Sequence, residues 1–390
     1  MRILIVGAGI AGPTLAYWLR QYGFTPTLIE QAPAPRIGGY VIDFWGIGYD
    51  VAESMGIRPL LERDAYRIDE VRLVDSTGKR IAGFDAEVFR AVAGSHFLSL
   101  PRGDLARRLY ESVDGCIETM FDQTITGIDQ DSRGVTVAFE HGKPRQFELV
   151  IGADGLHSQV RRVAFDEAMQ CERFLGYYTA AFSATDYPHR DERAYVCYTI
   201  PGAQVARYAL RDDRSAFFFI FAQPEPLGRA HDLLEQKHLL QERFAGRGWE
   251  CDEILHALDG SNDLYFDAVA QTRLSRWCAG RVALVGDAAY APSLLAGQGA
   301  ALAMAGAYVL ANALHRAAGD HEIAFAEYQK RFKPFVDAKR RAAAGFGWWF
   351  APRTRLGLCL RNLTTRVMDL PFVAHRIAAR TLGDRFTLPG

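Results

Sequence analysis

The first thirty residues alternate between apolar runs and a helical pattern. Residues 2–6 (RILIV) form a largely β-branched apolar run of the kind that is buried on both faces of a parallel sheet. An apolar helical stretch extends from the glycines after this run to about Tyr22, and a second strand-like run spans Thr25 to Ile29. This order predicts a β–α–β unit with two parallel strands.

The middle of the chain has a different pattern. After a helix near Tyr49–Met55 and a strand at Glu70–Asp75, short aromatic runs follow one another across turns between residues 169 and 274. Such runs favour a mostly antiparallel sheet. They are Gly176–Ser183, Ala194–Ile200, Val205–Leu210 and Ala216–Phe221. Beyond Gly299 the pattern is mainly helical.

Composition narrows the range of partners. A chain of 390 residues predicts two or three domains, at roughly 150 residues per domain. The 45 basic residues nearly balance the 46 acidic ones, so no long-range field attracts nucleic acid or anionic lipid. With 49% hydrophobic residues a large core is available. We therefore expect small, largely apolar partners, no nucleic acid and no membrane.

The cysteines and the apolar segments indicate a cytoplasmic protein. The six cysteines are scattered without a C-x-x-C pair, which argues against a zinc site and against a disulfide framework. No metal site is predicted. The most apolar long segment, Val282–Leu314, is interrupted by polar residues and glycines, so it does not fit a membrane span of about 20 apolar residues. The first residues carry no signal-peptide pattern.

The glycines after the first strand fit a dinucleotide site. In Gly7-x-Gly9-x-x-Gly12 the first glycine permits the tight turn, the second lets the backbone approach a pyrophosphate, and the third lets the helix pack on the strand. Glu30 ends the second strand, where a carboxylate accepts hydrogen bonds from a ribose. The predicted contacts are Gly7, Gly9, Ile10, Ala11, Gly12, Glu30 and Gln31. This motif alone fits FAD and NAD equally.

A second segment favours FAD. Residues 281–289 form a buried strand that ends in Gly-Asp, and a glycine-rich turn then opens a long apolar helix. Asp287 can accept hydrogen bonds from ribityl hydroxyls, while the amides at the helix start can stabilise a pyrimidine carbonyl or the charge of reduced flavin. The predicted contacts here are Gly286, Asp287, Pro292, Gly297, Gln298, Gly299 and Ala300.

Three segments resemble a known family. The sequence RVALVGDAAYAPSLLAGQGAALAMAGA (281–307) resembles the second FAD motif of the para-hydroxybenzoate hydroxylase family, the single-component flavin monooxygenases. VIGADGLHSQVR (150–161) is similar to its middle motif, and LPRGDL (100–105) to a further flavin element. The resemblance implies that Arg102 contacts the flavin and that Asp154 serves FAD and pyridine nucleotide. From the residues alone, Asp154 can instead cap a helix near Ser158, and Arg102 can be a surface charge.

Within this family, residues 38–57, 286–299 and 305–314 look most like the tetracycline-inactivating flavin monooxygenases and natural-product aromatic hydroxylases. Tyr290 and Ser293 stand where many relatives have histidine and a second proline. The resemblance implies a hydroxylase that uses NAD(P)H transiently and O₂, through a flavin C4a-hydroperoxide, on an aromatic or enolic substrate such as a polycyclic antibiotic. The alternatives are an FAD oxidoreductase without oxygen insertion and a non-catalytic binding protein. Either a monomer or a homodimer fits.

The implied architecture is α/β with three parts. A Rossmann-type FAD-binding domain (1–70, 100–168 and 275–344) carries an inserted, mostly antiparallel β-sheet domain for substrate (71–99 and 169–274), and residues 345–390 form C-terminal helices. We interpret these helices as a cap over the substrate cleft. The alternative is an amphipathic contact with a membrane surface, because Trp348, Trp349 and several arginines lie there.

The aromatic strands supply the candidate substrate pocket. Side chains alternate between the two faces of a strand, so one set faces the flavin and the other faces away. The candidate pocket residues are Arg207, Tyr208, Phe217, Phe219 and Phe221. Aromatic strand residues are more often core, and a strand arginine is more often solvated. No catalytic base is evident in the sequence.

Overall fold

The computed structural model describes residues 1–35, 40–87, 96–166, 171–185, 187–188, 191, 193–227, 232–343, 346–368 and 386–389. The strands in these residues are β1 (Arg2–Val6), β2 (Thr25–Ile29), β3 (Val41–Trp45), β4 (Glu70–Val74), β5 (Arg80–Asp85), β6 (Phe97–Pro101), β7 (Glu118–Met120), β8 (Ile125–Gln130), β9 (Val135–Phe139), β10 (Arg145–Phe147), β11 (Leu149–Gly152), β12 (Glu172–Ala184), β13 (Ala194–Ile200), β14 (Ala203–Ala209), β15 (Ser215–Ala222), β16 (Tyr265–Thr272), β17 (Cys278–Ala279) and β18 (Val282–Leu284).

The helices in the same residues are α1 (Ala11–Gln21), α2 (Ile47–Ser54), α3 (Arg58–Asp64), α4 (Arg102–Glu111), α5 (Gln159–Ala164), α6 (Leu233–Phe244), α7 (Cys251–Asp259), α8 (Asp287–Tyr290), α9 (Gly299–Arg316), α10 (His321–Ala343), α11 (Phe346–Phe350) and α12 (Arg355–Met368). A short 3₁₀ helix, Leu294–Ala296, precedes α9.

The first sheet is a mainly parallel sheet in the order β17-β18-β11-β1-β2-β7. Its central strand β1 pairs in parallel with β11 on one side and with β2 on the other. Leu4 and Ile5 point to opposite faces of β1, and both are fully buried. Burial on both faces is what a continuous apolar run produces in a parallel sheet, and the predicted β–α–β unit is confirmed.

The second sheet has seven strands in the order β16-β12-β15-β14-β13-β4-β5. Its neighbours are antiparallel except for β13 and β4, which run in parallel. The four aromatic runs predicted from the sequence correspond to β12, β13, β14 and β15, so the mostly antiparallel sheet is confirmed. Because β4 and β5 come from an earlier part of the chain, the polypeptide enters this sheet twice.

The two faces of the second sheet have different neighbours. On one face, which we call the outer face, Val205, Phe217 and Phe219 share a core with apolar residues of α6 and α7. On the other, the inner face, Phe218 shares a core with Leu295 of the 3₁₀ helix. The inner face is therefore the one turned toward the first sheet and its loops.

The C-terminal helices pack on the second sheet. Ala351 is fully buried in the core of the inner face. The Arg353 guanidinium lies 5.2 Å from the ring centroid of Tyr177, and Nη2 of Arg353 donates to the Gly176 carbonyl at 3.0 Å. The function of these helices as a cap over the substrate cleft stays a prediction. Within the described residues, no helix is both long and apolar enough to cross a membrane.

Parts of the predicted domains lie outside the described residues. They are residues 36–39, which include Gly38 and Gly39 of the family-like segment, and 88–95, 167–170, 186, 189–190, 192, 228–231, 344–345, 369–385 and 390. The three-part division of the chain stays a prediction.

Gly48 permits the close packing of α2 on α9. A Cβ atom at Gly48 would lie 2.5 Å from Cα of Ala301, a backbone atom that cannot rotate away. We expect Gly48→Ala to lower the free energy of unfolding by about 1–3 kcal/mol, because overpacking forces the helices apart. Equilibrium urea unfolding measures this change.

Gly260→Ala is the matched control. A Cβ atom at Gly260 has its nearest neighbour 3.8 Å away, at the carbonyl oxygen of Ala257, and the backbone there is right-handed. We expect no loss of stability in this variant. Equal unfolding free energies for the two variants would contradict the packing role of Gly48.

Candidate functional site

The glycine turn after β1 is built for close backbone approach. Gly7 has a φ of +107°, and a Cβ atom at Gly12 would lie 1.9 Å from the carbonyl oxygen of Gly7. Gly12 therefore lets α1 pack directly against the turn. A Cβ atom at Gly9 would meet nothing within 4 Å, so this position opens onto free space. Ile10 and Ala11 are buried at the start of α1, whose amides point toward that space.

Glu30 ties the glycine turn to the segment after β2. Its Oε2 accepts from the Ala8 amide at 2.8 Å, and its Oε1 accepts from the Ala32 amide at 3.0 Å. Each carboxylate oxygen keeps a further lone pair for a hydroxyl donor such as a ribose. Gln31 beside it is exposed.

The second predicted flavin segment meets the glycine turn in space. Gly286 has a φ of +68°, and a Cβ atom there would lie 3.1 Å from Cβ of Ala11. The turn after β18 thus packs on the first residues of α1. Oδ1 of Asp287 lies 3.8 Å from the Cβ position of Gly299, the first residue of α9. The structure therefore brings Gly7–Gly12, Asp287 and the start of α9 together.

Asp287 is a carboxylate without a partner. In the part of the chain that the structure describes, no donor forms a hydrogen bond to its side chain, and the same is true of acceptors for the Arg102 guanidinium. Burial raises the pKa of Asp287, and the charge of Arg102 opposes this shift. An isolated buried carboxylate is costly unless it gains hydrogen bonds. Ribityl hydroxyls would supply them, so these residues fit FAD.

Aromatic rings connect this site to the inner face. The ring centroid of Tyr40 lies 5.4 Å from that of Tyr265 and 5.9 Å from that of Phe218. Burial raises the pKa of Tyr40 to about 12, and the nearby Arg102 charge opposes the shift, so the phenol stays protonated at neutral pH. The sequence did not single out Tyr40 or Tyr265. The only local signal is that Tyr40 follows a Pro/Gly-rich stretch.

Asp154 caps a helix. Its Oδ1 accepts from the Ser158 hydroxyl at 2.5 Å and its Oδ2 accepts from the Val160 amide at 3.0 Å, at the start of α5. Burial raises the pKa of this carboxyl, and the Ser158 hydrogen bond opposes the shift. These contacts are those of the helix cap that the sequence offered as the alternative to a cofactor contact. The Asp154 backbone also lies against Gly7, because a Cβ atom added at Gly7 would be 2.9 Å from Cα of Asp154. Its contact with cofactor stays a prediction.

The middle motif holds a buried arginine that sequence reasoning did not assign. Arg161 is 1% exposed, and its guanidinium donates to the carbonyls of Ala288 at 2.9 Å and Leu156 at 2.6 Å and to the carboxylate of Glu172. It thus ties α8, which begins at Asp287, to β12 of the second sheet. The sequence did contain a signal for this arginine, because Arg161 is the last residue of the family-like segment 150–161.

The loop between α8 and α9 carries the two departures from the family pattern. Tyr290 is buried, with its ring centroid 4.6 Å from that of Trp277. Ser293 is buried with a φ of +113°, and none of the described residues forms a hydrogen bond with its hydroxyl. Strain of this kind in a residue other than glycine is characteristic of functional loops. The Pro292 carbonyl is fixed by Gln271 Nε2 at 2.9 Å.

The start of α9 is shaped by a left-handed residue. Gly297 has a φ of +65°, and a Cβ there would lie 3.6 Å from the Trp45 ring. Gln298 caps the helix without a side-chain hydrogen bond. Gly299 and Ala300 form the first turn, where free amides favour negative charge.

Four of the five candidate pocket residues lie on the outer face of the second sheet. Phe217, Phe219 and Phe221 lie in the core of the outer face, among residues of α6 and α7. Arg207 is on that side as well, with its Nε 2.8 Å from the Glu250 carboxylate and its Nη2 3.0 Å from that of Asp191. These four side chains fill a helix-covered core and a buried ion pair, so they face away from Asp287. Tyr208 points to the other side and packs near Val41 and Tyr195.

The FAD-binding domain family matches residues 1–338 of this chain, which is most of its length and includes every predicted cofactor contact. The chain belongs to the FAD-binding domain family. Its cofactor is FAD. Among the residues that the structure describes, no group of three or more His, Cys, Asp or Glu is placed to hold a metal ion.

Several relatives of this FAD-binding protein are named flavin-dependent monooxygenases. A flavin-dependent monooxygenase from an unknown prokaryotic organism is 39% identical over 352 residues, which cover 89% of each chain. One from Legionella longbeachae serogroup 1 (strain NSW150) is 37% identical over 353 residues, covering 90% of this chain and 88% of the relative. The crystal structure of tetracycline destructase Tet(51) matches this structure with a TM-score of 0.85 and 32% sequence identity. The match covers 100% of this chain and 99% of the destructase chain. The chain is a flavin-dependent monooxygenase.

Asp287→Ala tests the ribityl contact. We expect FAD to dissociate roughly 10–100-fold more readily, because hydrogen bonds to a charged acceptor are lost. Folding is expected to persist, since the variant removes a partly buried carboxyl that has no hydrogen-bond partner among the described residues. The measurements are flavin absorbance per protein after gel filtration and FAD titration of the apoprotein.

Asp287→Asn is the matched control for size. The amide oxygen still accepts from a hydroxyl, so we expect an intermediate FAD affinity. If Asp287→Ala retains FAD as tightly as the unmodified protein, the flavin-binding role of this carboxylate is wrong.

The ion pairs of His157 make the stability of the protein depend on pH. Its Nε2 lies 3.1 Å from Oδ1 of Asp267 and its Nδ1 lies 3.4 Å from Oε2 of Glu172. Hydrogen bonds to Asp267 and then Glu172 raise the pKa of His157 from 6.5 to about 10. Stability from this ion pair is therefore complete below about pH 6.5 and is lost as the pH rises toward 10. The contribution is small because the imidazole is more than half exposed.

We expect His157→Gln to lower the urea midpoint at about pH 6 and to leave it unchanged at about pH 10, the limits set by this pKa shift. His238→Gln is the control, because His238 is also exposed and faces a single carboxylate. An equal effect of His157→Gln at both pH values would show that its ion pairs do not contribute.

Proposed function

We propose that this flavin monooxygenase uses NAD(P)H and O₂ to hydroxylate an aromatic or enolic small molecule, of the polycyclic class to which tetracycline belongs. The observation that carries the proposal is the unpartnered Asp287 carboxylate, which lies beside the start of α9 and next to the aromatic residues that lead to the inner face. The 32% identity to a tetracycline destructase over the whole chain supports the substrate class.

In this proposal different residues bind the different parts of FAD. When bound, FAD supplies hydride acceptance and oxygen activation. The glycine turn and Glu30 hold the ADP part, and Asp287 holds the ribityl chain. The free amides at the start of α9, with Arg102, stabilise negative charge beside the ring system.

Substrate is placed on the inner face in this proposal. Tyr40, Tyr265 and Phe218 form an apolar connection between the cofactor site and the sheet. Such a wall keeps water from the reacting centre and orients a flat substrate. Tyr208 stays a candidate for this surface. A monomer or homodimer in the cytoplasm is the setting we expect.

Isotopic oxygen tests the reaction. Purified holoenzyme, NADH or NADPH, and a panel of tetracycline, phenols and quinolones are incubated under ¹⁸O₂, and products are analysed by mass spectrometry. We expect substrate-stimulated oxidation of the nicotinamide and one ¹⁸O atom per product molecule.

Anaerobic incubation and Asp287→Ala serve as controls, and neither is expected to form product. Substrate turnover without ¹⁸O would show an oxidoreductase that does not insert oxygen. A purified protein that oxidises neither NADH nor NADPH with any of the compounds would contradict the proposed function.

A further inference from the structure

Helix α12 has its polar and apolar sides reversed. A surface helix ordinarily turns its apolar residues toward the protein. In α12 four large apolar residues are exposed and recur at helical spacing: Leu356 is 80% exposed, Leu360 51%, Leu363 58% and Val367 44%. The buried positions on the opposite side are Arg361 and Thr365. The side of α12 that faces the sheet is therefore polar.

Arg361 is a buried cation without an anion. It is 2% exposed, and no residue described in the structure forms a hydrogen bond or ion pair with its guanidinium. Next to it, Oδ1 of Asn362 is also buried without a partner. An arginine stays charged in a protein, so the positive charge persists although burial lowers the pKa of the guanidinium.

Among the described residues, the one titratable neighbour whose charge acts on Arg361 is the Cys197 thiol. Burial raises the pKa of Cys197 to about 12, so the thiol is neutral and does not balance the guanidinium. A buried charge without a counter-charge is strongly destabilising. The described residues therefore supply no counter-charge for Arg361.

The backbone around Arg361 is firmly held. The hydroxyls of Thr364 and Thr365 donate to the Arg361 carbonyl at 2.7 Å and 2.9 Å. One turn further on, Arg366 Nε donates to the Ile81 carbonyl of β5 at 2.8 Å. The Arg366 hydrogen bond holds α12 against the edge strand β5 of the sheet.

A row of paired inner-face residues leads from the neighbourhood of Arg361 toward the cofactor site. Cys197 on β13 is paired with Ala206 on β14, which is paired with Phe218 on β15. All three lie on the inner face. Two strand spacings separate the ends of this row, about 10 Å in total. Phe218 contacts Tyr40 of the flavin site, so the row has the length of a fused-ring molecule.

We propose that Arg361 is a recognition subsite for an anionic oxygen of the substrate, an enolate, phenolate or carboxylate, held between α12 and the inner face. The proposal rests on the proposed function, since it places the reacting ring near Phe218 and the anionic oxygen at the far end of the row. The planar guanidinium offers paired donors to such an oxygen.

Arg361→Met tests the subsite in the holoenzyme. Methionine keeps the length and apolar volume but removes the charge. Binding is measured by fluorescence with salicylate and tetracycline as anionic probes and salicylamide, at a pH where it is neutral, as the uncharged probe. We expect the affinity for the anionic probes to fall roughly 10–100-fold, the loss of a charge-assisted hydrogen bond, with no change for salicylamide.

Stability separates recognition from a structural role. We expect Arg361→Met to raise the thermal midpoint or leave it unchanged, because it removes an uncompensated buried charge. A structural arginine would lower the midpoint instead. Arg361→Lys restores the charge without the planar fork and is expected to recover part of the affinity.

Arg355→Gln is the matched control, since Arg355 lies exposed at the start of the same helix. We expect it to bind all probes as the unmodified protein does. Equal losses for salicylate and salicylamide in Arg361→Met, a lowered midpoint, or an unmodified protein that does not prefer anionic probes would overturn the subsite. These outcomes are independent of ¹⁸O incorporation, so the proposed reaction can stand if the subsite fails.

Discussion

Four strands of the first sheet end at the same edge, and the whole cofactor site depends on that constraint. β1, β2, β11 and β18 run in parallel, so the residues that follow them meet at their carboxyl ends. Gly7, Glu30, Asp154 and Asp287 come from distant parts of the chain and are brought together only in this way. The space is so tight that a Cβ atom at Gly7 would lie 2.5 Å from the carbonyl oxygen of Ala153. Any change in strand order would separate them.

Most of this edge could be predicted from the sequence, because its signals are local. A glycine triplet after an apolar run and a Gly-Asp after another specify the turn, the helix start and the carboxylate, whatever the rest of the chain does. Asp154 shows the limit of such signals. An aspartate four residues before a serine fits both a cofactor contact and a helix cap, and only the positions of Ser158 and Val160 show the cap.

The substrate side was harder because it depends on which face of a strand meets which neighbour. Alternation separates Arg207 from Tyr208 and Phe217 from Phe218, but it does not say which set faces the flavin. Helices α6 and α7 decide this by covering the outer face. The same reason hid Arg361: the pattern of α12 indicates an amphipathic helix, whereas its contacts place the polar side inward. Tyr40 was missed because its neighbours Phe218 and Tyr265 are remote in sequence.

The parallel pairing of β13 with β4 affects both the order of folding and the outcome of recombination between related proteins. It joins Cys197 to Leu73, so the substrate sheet cannot close until a long intervening segment, including β6 to β11 of the cofactor region, has been traversed. Contacts of such sequence separation slow folding, and the sheet forms late relative to the local β–α–β unit. The second sheet also cannot be exchanged between relatives as one continuous segment. Recombination between relatives that exchanged only residues 172–272 would leave β4 and β5 of one parent on the edge of the other's sheet, so a change of substrate by exchange requires two matched segments.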